Sequence, residues 1–373
     1  MLGAFMCILP MSVIGSGQPA QPSLNARMGT AVTQAVRPQE SESGQMTAAQ
    51  IQTQASAIQA LHSPSAIAVA EELGDSVTLY DMAAGKVREL SMREYVLGAV
   101  CAEMPPTFHP EAIKAQAVAA HSYILRVKYE NLDATPNPEL HGADLAVDSG
   151  IWWGYADESR MRERYGEDFD EYWLKINGAV DSVFDYLLFY DDKPIVAAYH
   201  SCSAGRTEDA RNVWGGYAPY LTAVDSEGDR LAPQYQSSED FPSRRVYGIL
   251  RAAGAQELPD DPAAVFGGIK RSPSGYVTGI YAGDTEFTGT QIRALFDLRS
   301  ADFEVRYDPD KDIYTFDVTG YGHGVGLSQY GAEYMAQQGA AFDEILLHYY
   351  QQAQLIRLAQ ESLTTLRSGG ILA

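Results

Sequence analysis

Basic residues are scarce in this chain. Against 49 acidic residues stand 27 lysines and arginines, a formal net charge of −22. A nucleic-acid binder needs a basic face to neutralise phosphates, and no run of lysine or arginine supplies one, so no nucleic-acid partner is expected. Cysteine is scarcer still. Cys7, Cys101 and Cys202 make neither a disulfide framework nor a metal quartet. The seven histidines form no H-E-x-x-H pair and no Cys/His cluster, so neither a metal nor a cofactor is expected. A serine hydrolase would show a G-x-S-x-G elbow, and none is present. No apolar run reaches the ~20 residues of a full membrane span. Met1–Gly15 comes nearest; it lacks a basic start, and residues 1–17 read as a signal or membrane-anchor segment.

What is present is the composition of a folded protein, 46% hydrophobic with 23 tyrosines. Tyrosine offers a flat ring and a polar tip, which suits sugar binding as well as ordinary packing. Gln18–Asp75 is rich in Gln, Ala and Ser and poor in aromatics, so it reads as a flexible tether, with a weak helix at Thr47–Leu61. Residues 76–350 are long enough to bury a sizeable core. Residues 351–373 read as a peripheral, partly helical tail.

Local signals place the elements. Val77–Tyr80 and Val87–Leu90 read as a hairpin. Ser91 with Glu94 three residues on is a capping box, opening a helix that Pro105-Pro106 stops near Ala102. A second helix starts near Pro110 and buries Ile113, Ala117, Ala120, Ile124 and Val127. Val183–Tyr190 and Ile195–Tyr199 read as another hairpin, and Phe303–Tyr307 with Ile313–Val318 as a third. Further elements are a strand at Val277–Tyr281 and helices at Thr290–Phe296 and Phe342–Tyr350. The expected fold class is mixed α/β (α+β): antiparallel hairpins and sheets with packed helices around a long cleft.

Glu103 is the strongest acid candidate. Val100, Cys101, Ala102 and Met104 surround it in sequence, and an apolar setting disfavours the charged carboxylate and raises its pKa. A general acid near neutral pH needs that shift. A capping or salt-bridging glutamate is the competing reading. Hydrolysis of a glycosidic bond normally uses a second carboxylate, and neither Asp209 nor Asp225 shares the apolar setting. A lone acid points to a substrate that supplies its own nucleophile. In peptidoglycan the C6 hydroxyl of N-acetylmuramic acid can attack C1 and give a 1,6-anhydro sugar. His323 lies among the alternating glycines of Gly320–Gly326, a spacing that lets a ligand or another backbone approach closely. His200 and Ser201 are neighbours in a strand and point to opposite faces, which speaks against a nucleophile–base pair. Cys101 and Cys202 could pair only if their motifs meet; two buried thiols is the other reading.

Three segments together resemble the SpoIID/LytB family. They are Ala102-Glu103-Met104-Pro105 followed by Glu111–Ala117; His200–Thr207 followed by Val213-Trp214-Gly215 and Pro219-Tyr220-Leu221; and Gly322–Ala332. The resemblance implies a membrane-anchored peptidoglycan lytic transglycosylase, its domain outside the cytoplasm at the forespore septum, acting in septal thinning and engulfment. It implies Glu103 as catalytic acid/base, and partners in a SpoIIP-like amidase and a SpoIIM-like membrane protein. With the motifs come the expected substrate-binding residues Lys114, Tyr123, His200, Ser201, Ser203 and Tyr220, then His323, Ser328, Gln329 and Tyr330. Glu103, Lys114, His200, Ser203 and His323 should line one cleft. The alternative within the family is a LytB-like, non-catalytic glycan binder that enhances an amidase. His121 stands where the family has arginine, exchanging a fixed cation for a titratable one, and Ala204 replaces a glycine. Some members carry a zinc site in a loop matching His141–Leu145; its cysteine positions are lost here, so no zinc is expected.

Overall fold

A computed structural model of the chain describes residues 63–148 and 154–358. The expectations for residues 1–17, for Thr47–Leu61, for most of the tether, and for the tail beyond residue 358 lie outside the described residues. The folded body begins earlier than Ser76. Ser63 caps a helix, α1 (Pro64–Leu73), that buries Ala66, Ile67, Ala70 and Leu73. Its alanine-rich sequence resembles the tether in composition, and the tertiary burial of one face decides the matter.

β1 (Ser76–Asp81) pairs antiparallel with β2 (Lys86–Ser91), and β3 (Leu145–Val147) joins β1 in parallel. Ser91 Oγ accepts from the Glu94 amide, and the Glu94 carboxylate accepts from the Ser91 amide at 2.9 Å, so the capping box is complete. It opens α2 (Met92–Glu103). Met104 is extended (φ −106°, ψ 133°), as a residue before proline must be. α3 (Pro110–Asn131) restarts the helix with His109 as cap and proline in its first turn. Ser91→Ala should lower stability by about 1 kcal/mol, read as a fall in the urea midpoint with unchanged slope.

After α4 (Glu158–Tyr165) and α5 (Phe169–Val183) comes a three-stranded sheet. β4 (Tyr186–Tyr190) lies between β5 (Lys193–Pro194) and β14 (Gln354–Arg357). Two sequence expectations change here. The tail is not peripheral at its start, because β14 buries Leu355 and Ile356 in this sheet. Ile195–Tyr199 is not a continuous strand. Ile195–Ala198 is buried but bends through short bonds from Ala197 to Ile195 and from Ala198 to Val196, and pairing resumes only at β6 (Tyr199–His200). The apolar run reported burial, which in this segment does not come with a ladder.

The short helix α6 (Ala210–Trp214) precedes a second lobe with its own core. That lobe contains β7 (Gln236–Pro242), α7 (Ser243–Ala252), β8 (Phe266–Arg271), β9 (Val277–Ala282), β10 (Thr285–Phe287), α8 (Gly289–Phe296), β11 (Phe303–Asp308) and β12 (Ile313–Thr319). Its sheets run β10-β9-β8 and β11-β12-β7 and are antiparallel throughout. Phe316 sits at the centre, stacked on Phe296 and edge-on to Phe241, Phe266 and Phe303. The chain leaves the first lobe after Tyr235 and returns at Gly320, and the Gly320 amide bonds the Tyr235 carbonyl at 2.7 Å. The second lobe is thus an insertion closed at its base. The chain ends the described body with β13 (Leu327–Ser328), α9 (Gln329–Gln337), α10 (Phe342–Tyr349) and β14. Helices and antiparallel sheets packed in this way make the fold α+β. Among the described residues no helix is long and apolar enough to cross a membrane.

Candidate active site

Glu103 is the last residue of α2, where the proline pair forces the chain out of the helix. Its side chain is 3% exposed, and Oε2 has no hydrogen-bond partner among the described residues. Burial alone pushes the carboxyl from its ordinary 4.5 up to about 8. No cation offsets the shift. The nearest charged-group relation is to Tyr95, whose phenol is pushed up by burial and by the Glu103 charge. A carboxyl with this shift is protonated at neutral pH and can donate.

The loop after Glu103 is held by α9. The Phe108 ring meets Tyr330 edge-on at 5.0 Å, and the His109 amide donates to the Glu333 carboxylate at 2.5 Å. Gln329 Nε2 reaches Gln116 Oε1 of α3 at 3.4 Å. The chain after Glu103 therefore meets α9 at three points, of which the Gln329–Gln116 contact joins the first and third motifs.

The second and third motifs meet by backbone. β6 and β13 pair in parallel, Leu327 with Tyr199 and Ser328 with His200. Glycine makes the approach possible. A Cβ on Gly326 would stand 2.1 Å from the Ala198 carbonyl oxygen at φ +74°, and one on Gly322 would stand 2.6 Å from His200 Cβ. The alternating glycines thus serve backbone and side-chain approach within the protein. Gly326→Ala should separate β13 from β6 and lower the melting temperature by several degrees, in a protein that keeps its far-ultraviolet dichroism.

His200 and His323 lie with ring centroids 5.7 Å apart, and Trp214 packs edge-on to His323 at 5.0 Å. His200 Nδ1 faces the Val325 carbonyl at 3.1 Å and must donate; His323 Nδ1 accepts the Val325 amide at 3.0 Å. Burial pushes His200 down to about 3 and His323 well below its ordinary value, with the Arg293 charge adding to both. Both rings are neutral at working pH, so they can shape a site and hydrogen-bond but hold no proton to give. Neither ring contributes to the Glu103 shift and Glu103 contributes to neither ring's, whereas His200 adds to the lowering of His323.

A second buried carboxylate escaped the sequence reading. Asp229 is fully buried in the 3-10 turn Glu227–Leu231. Its Oδ2 accepts from the Ser203 amide (2.7 Å) and Ser203 Oγ (2.5 Å), and its Oδ1 from Ser328 Oγ (2.5 Å). Nothing local marks it among 49 acidic residues; only the long-range pairing with two motif serines does.

The other expected site residues have partners of their own. Lys114 is ion-paired with Glu111 at 2.6 Å, and the other oxygen of Glu111 accepts the Phe342 amide at the start of α10. This pair ties α3 to α10 and contributes nothing to the Glu103 shift. Tyr220 is buried, with its hydroxyl accepting the Val196 amide at 3.2 Å; Tyr123 is buried within α3. Ser201 acts through its carbonyl, which accepts the Tyr330 amide. His121 is stacked on Phe184 and pushed down to about 3 by burial, so the family's cation is replaced by a neutral ring. Cys101 and Cys202 are free, buried thiols. Glu103, His200 and Ser203, expected along the cleft, are all buried. A cavity of about 500 Å³ lies instead on the outer face of the β7–β12–β11 sheet, lined by Asp240, Arg306 and Thr315. A cavity of about 10 Å³ touches His323, Glu208 and Arg293 at the seam between the lobes.

A family profile described as "SpoIID: Stage II sporulation protein" matches residues 80–190, which include Glu103 and α3. Stage II sporulation protein D of Bacillus amyloliquefaciens is 35% identical over 276 residues, covering 74% of this chain and 77% of that protein. Its counterpart in Bacillus subtilis (strain 168) is 34% identical, covering 75% and 78%. An amidase enhancer of Bacillus subtilis (strain 168) is 26% identical, covering 68% of this chain and 39% of that protein. The similarity to the two stage II proteins covers about three quarters of each chain at more than 30% identity, and this chain belongs to the SpoIID family of sporulation proteins.

Proposed function

We propose that this protein is a peptidoglycan lytic transglycosylase. The observation that carries the reading is the Glu103 carboxyl, buried at a helix end with one oxygen unpartnered and its pKa raised to about 8. Among the other buried carboxylates, Asp229 has both oxygens occupied by serine donors and Glu208 accepts from the Asp209 amide, Asn212 and Ser272, so neither is free to act as nucleophile or base. One available acid suits a reaction in which the sugar attacks itself. Glu103 protonates the glycosidic oxygen that leaves as the C4 hydroxyl of N-acetylglucosamine. The C6 hydroxyl of N-acetylmuramic acid bonds to C1 and returns its proton to the carboxylate. The glycosidic C–O bond breaks, the anhydro C–O bond forms, and no water is consumed. Because Glu103 is closed off, glycan entry requires the loop at residues 104–109 to part from α9. The setting proposed with this chemistry is the sporulation septum, on the outer side of a membrane that residues 1–17 would engage. A SpoIIP-like amidase that strips stem peptides and a SpoIIM-like membrane protein are the proposed partners.

The test is product chemistry. Wild-type protein incubated with amidase-stripped glycan strands should yield 1,6-anhydro ends by mass spectrometry. Reducing ends alone would show hydrolysis, and no new ends would sink the enzyme reading. A second reading, a non-catalytic enhancer, is favoured by the near-complete burial of Glu103 and by the likeness to an amidase enhancer. It predicts that wild type and Glu103→Gln stimulate a wall amidase equally while neither cuts glycan.

A further inference from the structure

Asp229 has no task in the reaction just described, yet it lies where the second and third motifs cross. We infer that Asp229 is a positioning residue, a carboxylate clasp that joins Ser203 to Ser328 and so fixes α9 against the loop that follows Glu103. The inference rests on the acid role of Glu103.

The chemistry of the clasp is one of counting hydrogens. A serine hydroxyl has one hydrogen and two lone pairs. Ser328 Oγ accepts the Gly331 amide at 3.2 Å as the cap of α9, and Ser203 Oγ accepts the Gly205 amide at 3.1 Å. Each hydroxyl then gives its hydrogen to Asp229, and only an ionised carboxylate can take both together with the Ser203 amide. The Ser201 carbonyl, 3.3 Å from Ser328 Oγ, is the weaker alternative acceptor. The clasp is tightly packed against α9: a Cβ on Gly331 would stand 2.0 Å from the Tyr349 hydroxyl, 2.3 Å from Ser226 Oγ and 3.1 Å from Asp229 Oδ1. The residues of α9 that follow the cap are Gln329, Tyr330 and Glu333, the three that grip Gln116, Phe108 and His109. A displaced cap is therefore transmitted to the residues directly after Glu103.

Protonation should loosen the clasp, because a carboxylic acid must donate to one serine and reverse one bond. Burial pushes Asp229 up to about 6, with the serine donors pulling the other way. The groups that feel its charge are the Cys202 thiol and the Tyr235, Tyr276 and Tyr349 phenols, with Arg230 beside Tyr235. Each of those thiol and phenol groups is pushed upward and stays neutral around pH 6. Asp302, whose charge acts on the same Tyr235 and Tyr276 phenols, is likewise pushed up to about 6 by burial, so it is the Asp229→Asn variant that assigns an acid limb to Asp229.

The experiment measures anhydro-end release from amidase-stripped glycan between pH 4.5 and 8, beside hydrogen exchange of residues 327–333. Wild type should show an acid limb near 6 and slow exchange. Asp229→Asn, which mimics the protonated clasp, should lose about tenfold in kcat at pH 7 with KM little changed. It should lack the acid limb and exchange faster over residues 327–333. Ser203→Ala removes a donor to the carboxylate and should move the limb to higher pH, which keeps the test open if Asp229→Asn folds poorly. An acid limb retained in Asp229→Asn, or unmoved in Ser203→Ala, overturns the clasp. Wild-type protein that releases no anhydro ends would overturn the Glu103 reading, and the exchange comparison would then decide the clasp by itself.

Discussion

Glu103→Gln should cost about 10²–10⁴-fold in the rate of anhydro-end formation, the range in which a positioned general acid acts. Glutamine keeps the size and the polar tip of the side chain but has no proton to give. The same variant should change the shape of the pH profile. In wild type the active carboxyl is the protonated one, and it loses its proton as pH rises through about 8, so activity should fall on the alkaline side. Residual activity in Glu103→Gln should show no such limb. Mass spectrometry of products between pH 6 and 9.5 gives both readings from one series. Glutamine activity within tenfold of wild type, or an alkaline limb common to both, would remove Glu103 from the role of acid. Loss of activity with an unchanged thermal transition keeps the effect on the chemical step. The histidines cannot substitute for Glu103, because burial holds His200 and His323 neutral throughout this range.

What the sequence made legible was local. Ser91 and Glu94 predict a capping box, and Pro105-Pro106 predict a break, because caps and prolines act on neighbours within four residues. The hairpins β1–β2 and β11–β12 follow from alternation around short turns. The apolar neighbours of Glu103 foretell its burial and the direction of its pKa shift. The settings that sequence reasoning did not give depend on partners from other elements. Lys114 lies eleven positions from Glu103, yet Glu111 one turn away captures its charge and binds the pair to α10. Asp229 is unremarkable until Ser203 and Ser328 arrive from 26 and 99 residues away. The two-residue pairing of β6 with β13 is too short for any period to announce it. β14 reads as polar tail because its burial is supplied by β4, more than 150 residues earlier in the chain.

Glu103→Leu should make the protein more stable at neutral and alkaline pH and leave it nearly unchanged in acid. The carboxyl ionises near 4.5 when the chain is unfolded and near 8 when it is folded. The folded state therefore keeps a proton that the unfolded state releases between those values. Wild-type stability from this group is full below 4.5 and is lost as pH rises toward 8. At about 1.4 kcal/mol per unit, the loss amounts to about 3 kcal/mol at pH 7. Leucine cannot ionise and fits a setting made by Val100, Ala102 and Met104, all buried; its imperfect shape costs less than about 1.5 kcal/mol. At pH 8, where the loss reaches about 4 kcal/mol, the net gain should be about 3–4 kcal/mol, and at pH 4.5 it should vanish or turn slightly negative. Asp229 titrates in both proteins and cancels from the comparison. Urea unfolding at pH 4.5, 6 and 8 gives the difference at each pH. An equal difference at all three would mean that Glu103 is not held protonated by the fold. A gain that grows with pH would mean that the protein keeps a destabilising carboxyl at the Pro-broken end of α2, the trade that a working acid in an apolar site requires.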